Sequence, residues 1–140
     1  MNRFCRGLGF LPWLLLAACG GGGGDGGAPQ PDALQPTLES IQAQVFTPRC
    51  ATSGCHRGSA ARESLRLDDA QTSYDQLVEV RSVQVPSRFR VEAGSPDTSY
   101  LIDKLEGTQA AGNRMPDGQA PLSAETVAVI RQWIADGAPR

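Results

Sequence analysis

Histidine occurs once in these 140 residues, methionine twice, and no run of consecutive lysine or arginine occurs anywhere. Without a basic tract or an aromatic-interleaved basic patch, the chain lacks the electrostatic footprint that holds nucleic-acid phosphates, and no nucleic-acid partner is expected. Long apolar runs are missing too. The stretch from Leu8 to Leu16 is mostly apolar, but Gly9 and Pro12 interrupt it and it falls well short of the roughly 20 residues that a membrane-spanning helix needs. There is no internal repeat. With His56 as the sole histidine, a site built from two imidazoles of one chain is impossible.

What the N-terminus does contain is the pattern of an export signal. Arg3 and Arg6 supply a basic start, the apolar stretch follows, and Leu16-Ala17-Ala18-Cys19 closes it in small residues before a cysteine. That ending resembles the lipobox of bacterial lipoproteins. The resemblance implies a signal peptide over residues 1–18, cleavage before Cys19, and lipid on the Cys19 thiol; an ordinary secretory signal is the alternative. Each acyl methylene buried in a membrane contributes about 0.8 kcal/mol, so two or three chains make a lasting anchor. Residues 20–27 are glycine except for Asp25, and three prolines follow by Pro36. Such a composition buries too little to offset its ordering entropy, so 19–36 reads as lipidated cysteine plus linker. Gly20 stands where an aspartate tends to retain enteric lipoproteins at the inner membrane, which points to the bacterial envelope, periplasmic face, on the outer membrane. Loss of Arg3 and Arg6 with the signal leaves 11 of the 13 basic residues against 15 acidic ones, a net charge of −4.

Residues 37–140 are long enough for one small domain. Leu38, Ile41, Val45 and Phe46 recur at helical spacing, with Pro48 expected to end that helix. Thr72 or Ser73 is expected to cap a short helix carrying Tyr74, Leu77 and Val78, and Val83 to Val91 reads as irregular or briefly extended. Ser95-Pro96-Asp97 predicts a helix start with Ser95 as its cap, burying Tyr100, Leu101 and Leu105 and stopping near Gly107. The last helix has Ser123 as cap, Leu122 and Val127 as a hydrophobic staple, a stripe of Val127, Ile130, Trp133 and Ile134, and Gly137 as its end. Between these two helices lies the long loop 107–121, and a loop of that length in a small domain usually has a task. The fold class expected is all-α.

The chemistry lies in Cys50-Ala51-Thr52-Ser53-Gly54-Cys55-His56. Two thiols followed directly by an imidazole are what covalent haem attachment uses, the cysteines adding to the porphyrin vinyl groups and the histidine ligating iron. Here four residues separate the cysteines instead of two. Cysteines five apart are about 140° out of phase on a helix, so the extra residues must bulge, and Thr52-Ser53-Gly54 suits a bulge through glycine's freedom at positive φ and hydroxyls that satisfy the backbone. Met115, the only methionine after the signal, stands before Pro116 in the long loop and is the candidate for a second axial ligand; core filler is the other reading. A Cys50–Cys55 disulfide in a binding module remains open. So does a copper site of Cys50, Cys55, His56 and Met115, although the alternating strands of a thioredoxin-like fold are missing, while zinc lacks a fourth ligand. Asp68-Asp69 suggests a cap or a solvated turn.

Taken in order, the segment 45–56, Val91-Glu92-Ala93-Gly94-Ser95-Pro96, Ser99-Tyr100-Leu101, Arg114-Met115-Pro116, Leu122-Ser123 and 130–138 resemble a small c-type cytochrome domain of the planctomycete type. The resemblance implies one covalent haem c on Cys50 and Cys55, His56 as proximal and Met115 as distal iron ligand, and first and last helices crossing beside the haem. Its function would be that of an electron carrier between redox partner proteins, not an enzyme; without Met115 on iron it would be a high-spin haem peroxidase. Arg88, Arg90 and Arg114 are candidates to pair with haem propionates, with a surface role as the default for each.

Overall fold

The computed structural model describes residues 33–140, which lie in one unit spanning Pro31–Arg140. The expected signal, Cys19 and most of the linker lie outside the described residues. Among those described, the secondary structure is helical without a strand, and no helix is long and apolar enough to cross a membrane.

Thr37 caps the first helix, α1 (Leu38–Ile41), its hydroxyl accepting from the Ser40 N–H. The helix does not stop at Pro48. It continues as wider turns over Gln42–Cys50 with Pro48 inside, and the Ala51 N–H bonds to the Phe46 carbonyl five residues back. A proline ring clashes with the carbonyl four residues behind it in an ordinary α-helix, and the extra residue per turn relieves that clash. The chain is therefore still helical when it reaches Cys50. Leu38, Ile41, Val45 and Phe46 are all buried, so the apolar spacing does mark the core face.

The second helix, α2 (Ala70–Leu77), is capped by Asp69 and not by Thr72 or Ser73, the carboxylate accepting from the Thr72 N–H at 2.8 Å and its hydroxyl at 2.7 Å. Asp68 accepts from the Gly58 N–H and from Arg66. The acid pair thus serves as cap and turn. After α2 the chain is irregular, with two isolated bridges, Val78 to Val91 and Arg81 to Phe89.

Ser95 does not cap with its hydroxyl. Pro96–Thr98 forms a single tight turn, Ser99 is extended, and α3 (Tyr100–Glu106) starts after it. Tyr100 and Leu105 are buried and Leu101 partly so, and Gly107 ends the helix at φ 86°. The last helix, α4 (Ala124–Ala135), follows the sequence closely: the Ser123 hydroxyl accepts from the Thr126 N–H, and the four stripe residues are buried. At its end the Ala138 N–H bonds to the Trp133 carbonyl and the Gly137 N–H to the Ile134 carbonyl, with Gly137 at φ 97°. This double closure satisfies carbonyls that the helix leaves free.

Backbones approach closely between α1 and α2 and between α3 and α4. Side chains of the first and last helices belong to the same apolar cluster, with Ile41, Ile130, Trp133 and Ile134 fully enclosed. Of that cluster, Phe46, Leu67, Leu77 and Leu105 line a cleft shared by the 50–67 segment and the 107–121 loop.

Candidate functional site

Cys50, Cys55, His56 and Met115 all line one cleft. Phe46, Leu65, Leu67, Leu77, Leu101 and Leu105 supply its apolar walls, and its cavity volume is about 250 Å³. That is near the lower end of ligand pockets, roughly 300–1,000 Å³, and the cleft is open to water on one side.

The segment holding the thiols is a closed loop. The His56 N–H bonds to the Cys50 carbonyl at 3.1 Å and the Cys55 N–H to the Thr52 carbonyl at 3.0 Å. Gly54 takes φ 76°, the left-handed region that the longer gap demands. Backbone groups close this bulge by themselves, and no hydroxyl of Thr52 or Ser53 takes part in a described hydrogen bond. Both cysteines are free and partly buried. Burial pushes the Cys50 thiol up to about 12, with the neighbouring Arg49 charge only partly opposing it, so the group is a neutral S–H at pH 7.

His56 is buried, and its Nδ1–H donates to the Leu65 carbonyl at 3.1 Å. A carbonyl can only accept, so Nδ1 carries the proton and Nε2 keeps its lone pair. Burial pulls the imidazole pKa below its ordinary value; the Leu65 and Arg62 carbonyls oppose that, and the Arg90 and Arg62 charges add to it. The ring is therefore neutral at pH 7, in the form that ligates metal, with the outer hydrogen bond that fixes ring orientation already made.

Three sets of bonds bring Met115 to the same cleft. Its N–H donates to the Lys104 carbonyl at 2.8 Å, tying the loop to α3. Arg49, next to Cys50, donates to Gln119 Oε1 and to the Ala120 carbonyl at 2.7 Å, while the Gln119 amide returns a bond to the Arg49 carbonyl. Arg62 pairs with Asp117 at 3.0 Å. That last pair is exposed and contributes at most about 1 kcal/mol; the Arg49 bonds carry more of the alignment because they reach the backbone.

Of the three candidate arginines, only Arg90 lines the cleft. Arg88 pairs with Asp103 and bonds to the Asp97 and Thr98 carbonyls, and Arg114 donates to the Leu105 carbonyl beside a separate shallow pocket. Arg49, Arg62 and Lys104 line the cleft instead. All three were missed in the sequence reading, although adjacency to Cys50 could have pointed to Arg49, and a shared helical face with Tyr100, Leu101 and Leu105 to Lys104. With Glu63 and Asp117 as its only acids, the cleft has a cation excess in a chain of negative net charge.

No family model, curated protein or solved structure matches the chain.

Proposed function

We propose that residues 37–140 form a small c-type cytochrome domain that carries single electrons, with one covalent haem c held in the cleft between the 50–67 segment and the 107–121 loop. The observation that carries this reading is the meeting of Cys50, Cys55, His56 and Met115 in one apolar cleft, with the Nδ1–H of His56 bonded to Leu65 and its Nε2 left free for a metal. The residues fit the group in kind: two thiols for the vinyl positions, an oriented neutral imidazole, a thioether from the facing loop, and cations for anionic substituents.

Bound there, haem supplies a one-electron iron couple whose potential a thioether ligand raises. The chain's own part is to hold and to enclose. Leu65 fixes the tautomer and orientation of His56, the Arg49 and Lys104 bonds fix the loop that presents Met115, and the leucines with Phe46 keep water from the interior of the site. An aqueous edge at the mouth suits exchange of electrons with redox partner proteins. By the sequence of its N-terminus, the domain is tethered through lipid on Cys19 to the periplasmic face of a bacterial membrane, the outer one by its Gly20.

Met115 decides between carrier and enzyme. With His56 and Met115 both on iron no position is open to peroxide, whereas His56 alone leaves one. The oxidised protein is expected to show the weak near-infrared sulfur-to-iron band, and Met115→Ala to lose it together with a fall in potential. A wild-type protein that is high-spin and turns over peroxide would move the function to a haem enzyme.

A further inference from the structure

Lys104 is the only lysine in the chain, and its side chain is buried, at 8% exposure. Its Nζ donates to the Ala111 carbonyl at 2.7 Å and to the Asn113 carbonyl at 3.3 Å. An ammonium has three N–H donors, and among the described residues the third has no acceptor. Among the described residues no carboxylate lies within ion-pair distance; Glu63 and Asp117 act on Lys104 only as more distant charges. The Tyr100 ring stands 5.4 Å away, and its hydroxyl donates to the same Ala111 carbonyl. The loop backbone has been brought tightly over this head group. At Gly112, φ 69°, a Cβ would come 2.7 Å from Nζ and 2.6 Å from the Gln84 amide.

A buried charge surrounded only by neutral acceptors is costly, and proteins that keep one normally pair it. Burial accordingly lowers the lysine's pKa. Lys104 nevertheless sits in the wall of the cleft, between α3 and the loop that carries Met115. We propose that Lys104 is the fixed counter-cation for a carboxylate carried by the ligand of this cleft. This rests on the haem reading, under which the carboxylate is a propionate. Arg90, the other buried cation of the cleft, donates one N–H from each terminal nitrogen to the Gln76 and Glu63 carbonyls, which fixes its guanidinium against the 63–65 turn. Arg62 is already paired with Asp117.

The rival explanation is that Lys104 only ties the loop down. Full-length protein with Cys50→Ala and Cys55→Ala, in which haem has no thiol to bond covalently, separates the two when titrated with haem and with haem dimethyl ester. With Lys104 in place, esterification should weaken binding roughly tenfold or more, the size of one charge-assisted hydrogen bond. Lys104→Gln, which keeps N–H donors for both loop carbonyls but removes the charge, should erase most of that difference, and Lys104→Arg should keep it. If Lys104→Gln does not fold, Lys104→Met serves the same comparison. An ester penalty that is the same with and without the charge overturns the proposal and leaves a loop tie. Failure of both haem forms to bind the Lys104 protein overturns the haem reading itself, and the counter-cation with it.

Discussion

Replacing Arg90 by glutamine should loosen the histidine site from a distance. The guanidinium, 9% exposed, donates from one terminal nitrogen to the Gln76 carbonyl and from the other to the Glu63 carbonyl, each at 2.8 Å. Glu63 and its neighbour Ser64 stand at φ 53° and 52°, a left-handed conformation that costs non-glycine residues about 1–2 kcal/mol each. Something must hold this strained pair in place, because the next residue is Leu65, whose carbonyl receives the His56 Nδ1–H. Each hydrogen bond to a charged group contributes about 1.5–3 kcal/mol. Arg90→Gln removes the charge, and its shorter side chain reaches at best one of the two carbonyls, so a loss of about 3 kcal/mol is expected out of the roughly 5–15 kcal/mol that stabilises a domain. Arg90→Lys should fall between variant and wild type. Urea unfolding measures the loss. Amide exchange at Leu67, whose N–H bonds to the His56 carbonyl, reports whether the segment has loosened. A change below about 1 kcal/mol in Arg90→Gln, with exchange at Leu67 unaltered, would refute the idea that this arginine holds the strained turn.

Acid should also weaken the fold in a traceable way. Backbone N–H donation from Gly58 first, and Arg66 next, hold Asp68 below the usual carboxylate range, and the Thr72 N–H and hydroxyl do the same for Asp69. A carboxylate depressed in the folded state binds fewer protons there than when unfolded, so its contribution is present above the unfolded pKa of about 3.9 and is lost as the pH falls through the folded one. Chemical unfolding between pH 5 and 3 should show falling stability, with a shallower fall in Asp69→Asn, which keeps a good cap without the titrating group; an unchanged slope contradicts this. At the N-terminus, Cys19→Ala should release the protein into the soluble periplasmic fraction with its haem site unchanged, and wild-type protein found mainly soluble after gentle lysis argues against the lipid anchor.

The features legible in the sequence are those that neighbours along the chain determine. The α4 helix was readable from cap to final glycine because Ser123, Leu122 with Val127, the apolar stripe and Gly137 all act within a few residues of one another. The same locality made Gly54 readable as the positive-φ residue of the cysteine loop. Pro48 misled because its usual effect presumes ordinary α-helical turns, and the wider turns here accommodate it. Asp69 displaced Thr72 and Ser73 as a cap because a carboxylate one turn earlier can take both the Thr72 N–H and its hydroxyl. The cations of the cleft were hardest to read. Arg88 and Arg114 turn to Asp103 and the Leu105 carbonyl, while Arg49, Arg62 and Lys104 reach the cleft through contacts between distant segments. Cys50, Cys55, His56 and Met115 could be picked out by type and scarcity; that they face one space follows from the folding of the 107–121 loop against the cysteine helix.

An electron carrier of the proposed kind requires covalent haem. Mature protein made in a host competent in cytochrome c maturation should have a haem visible spectrum and an intact mass raised by one haem. The added mass should survive acid-acetone extraction and disappear in the Cys50→Ala, Cys55→Ala double variant. A colourless protein whose mass shows only a Cys50–Cys55 disulfide would contradict it and favour a binding module held by that bridge.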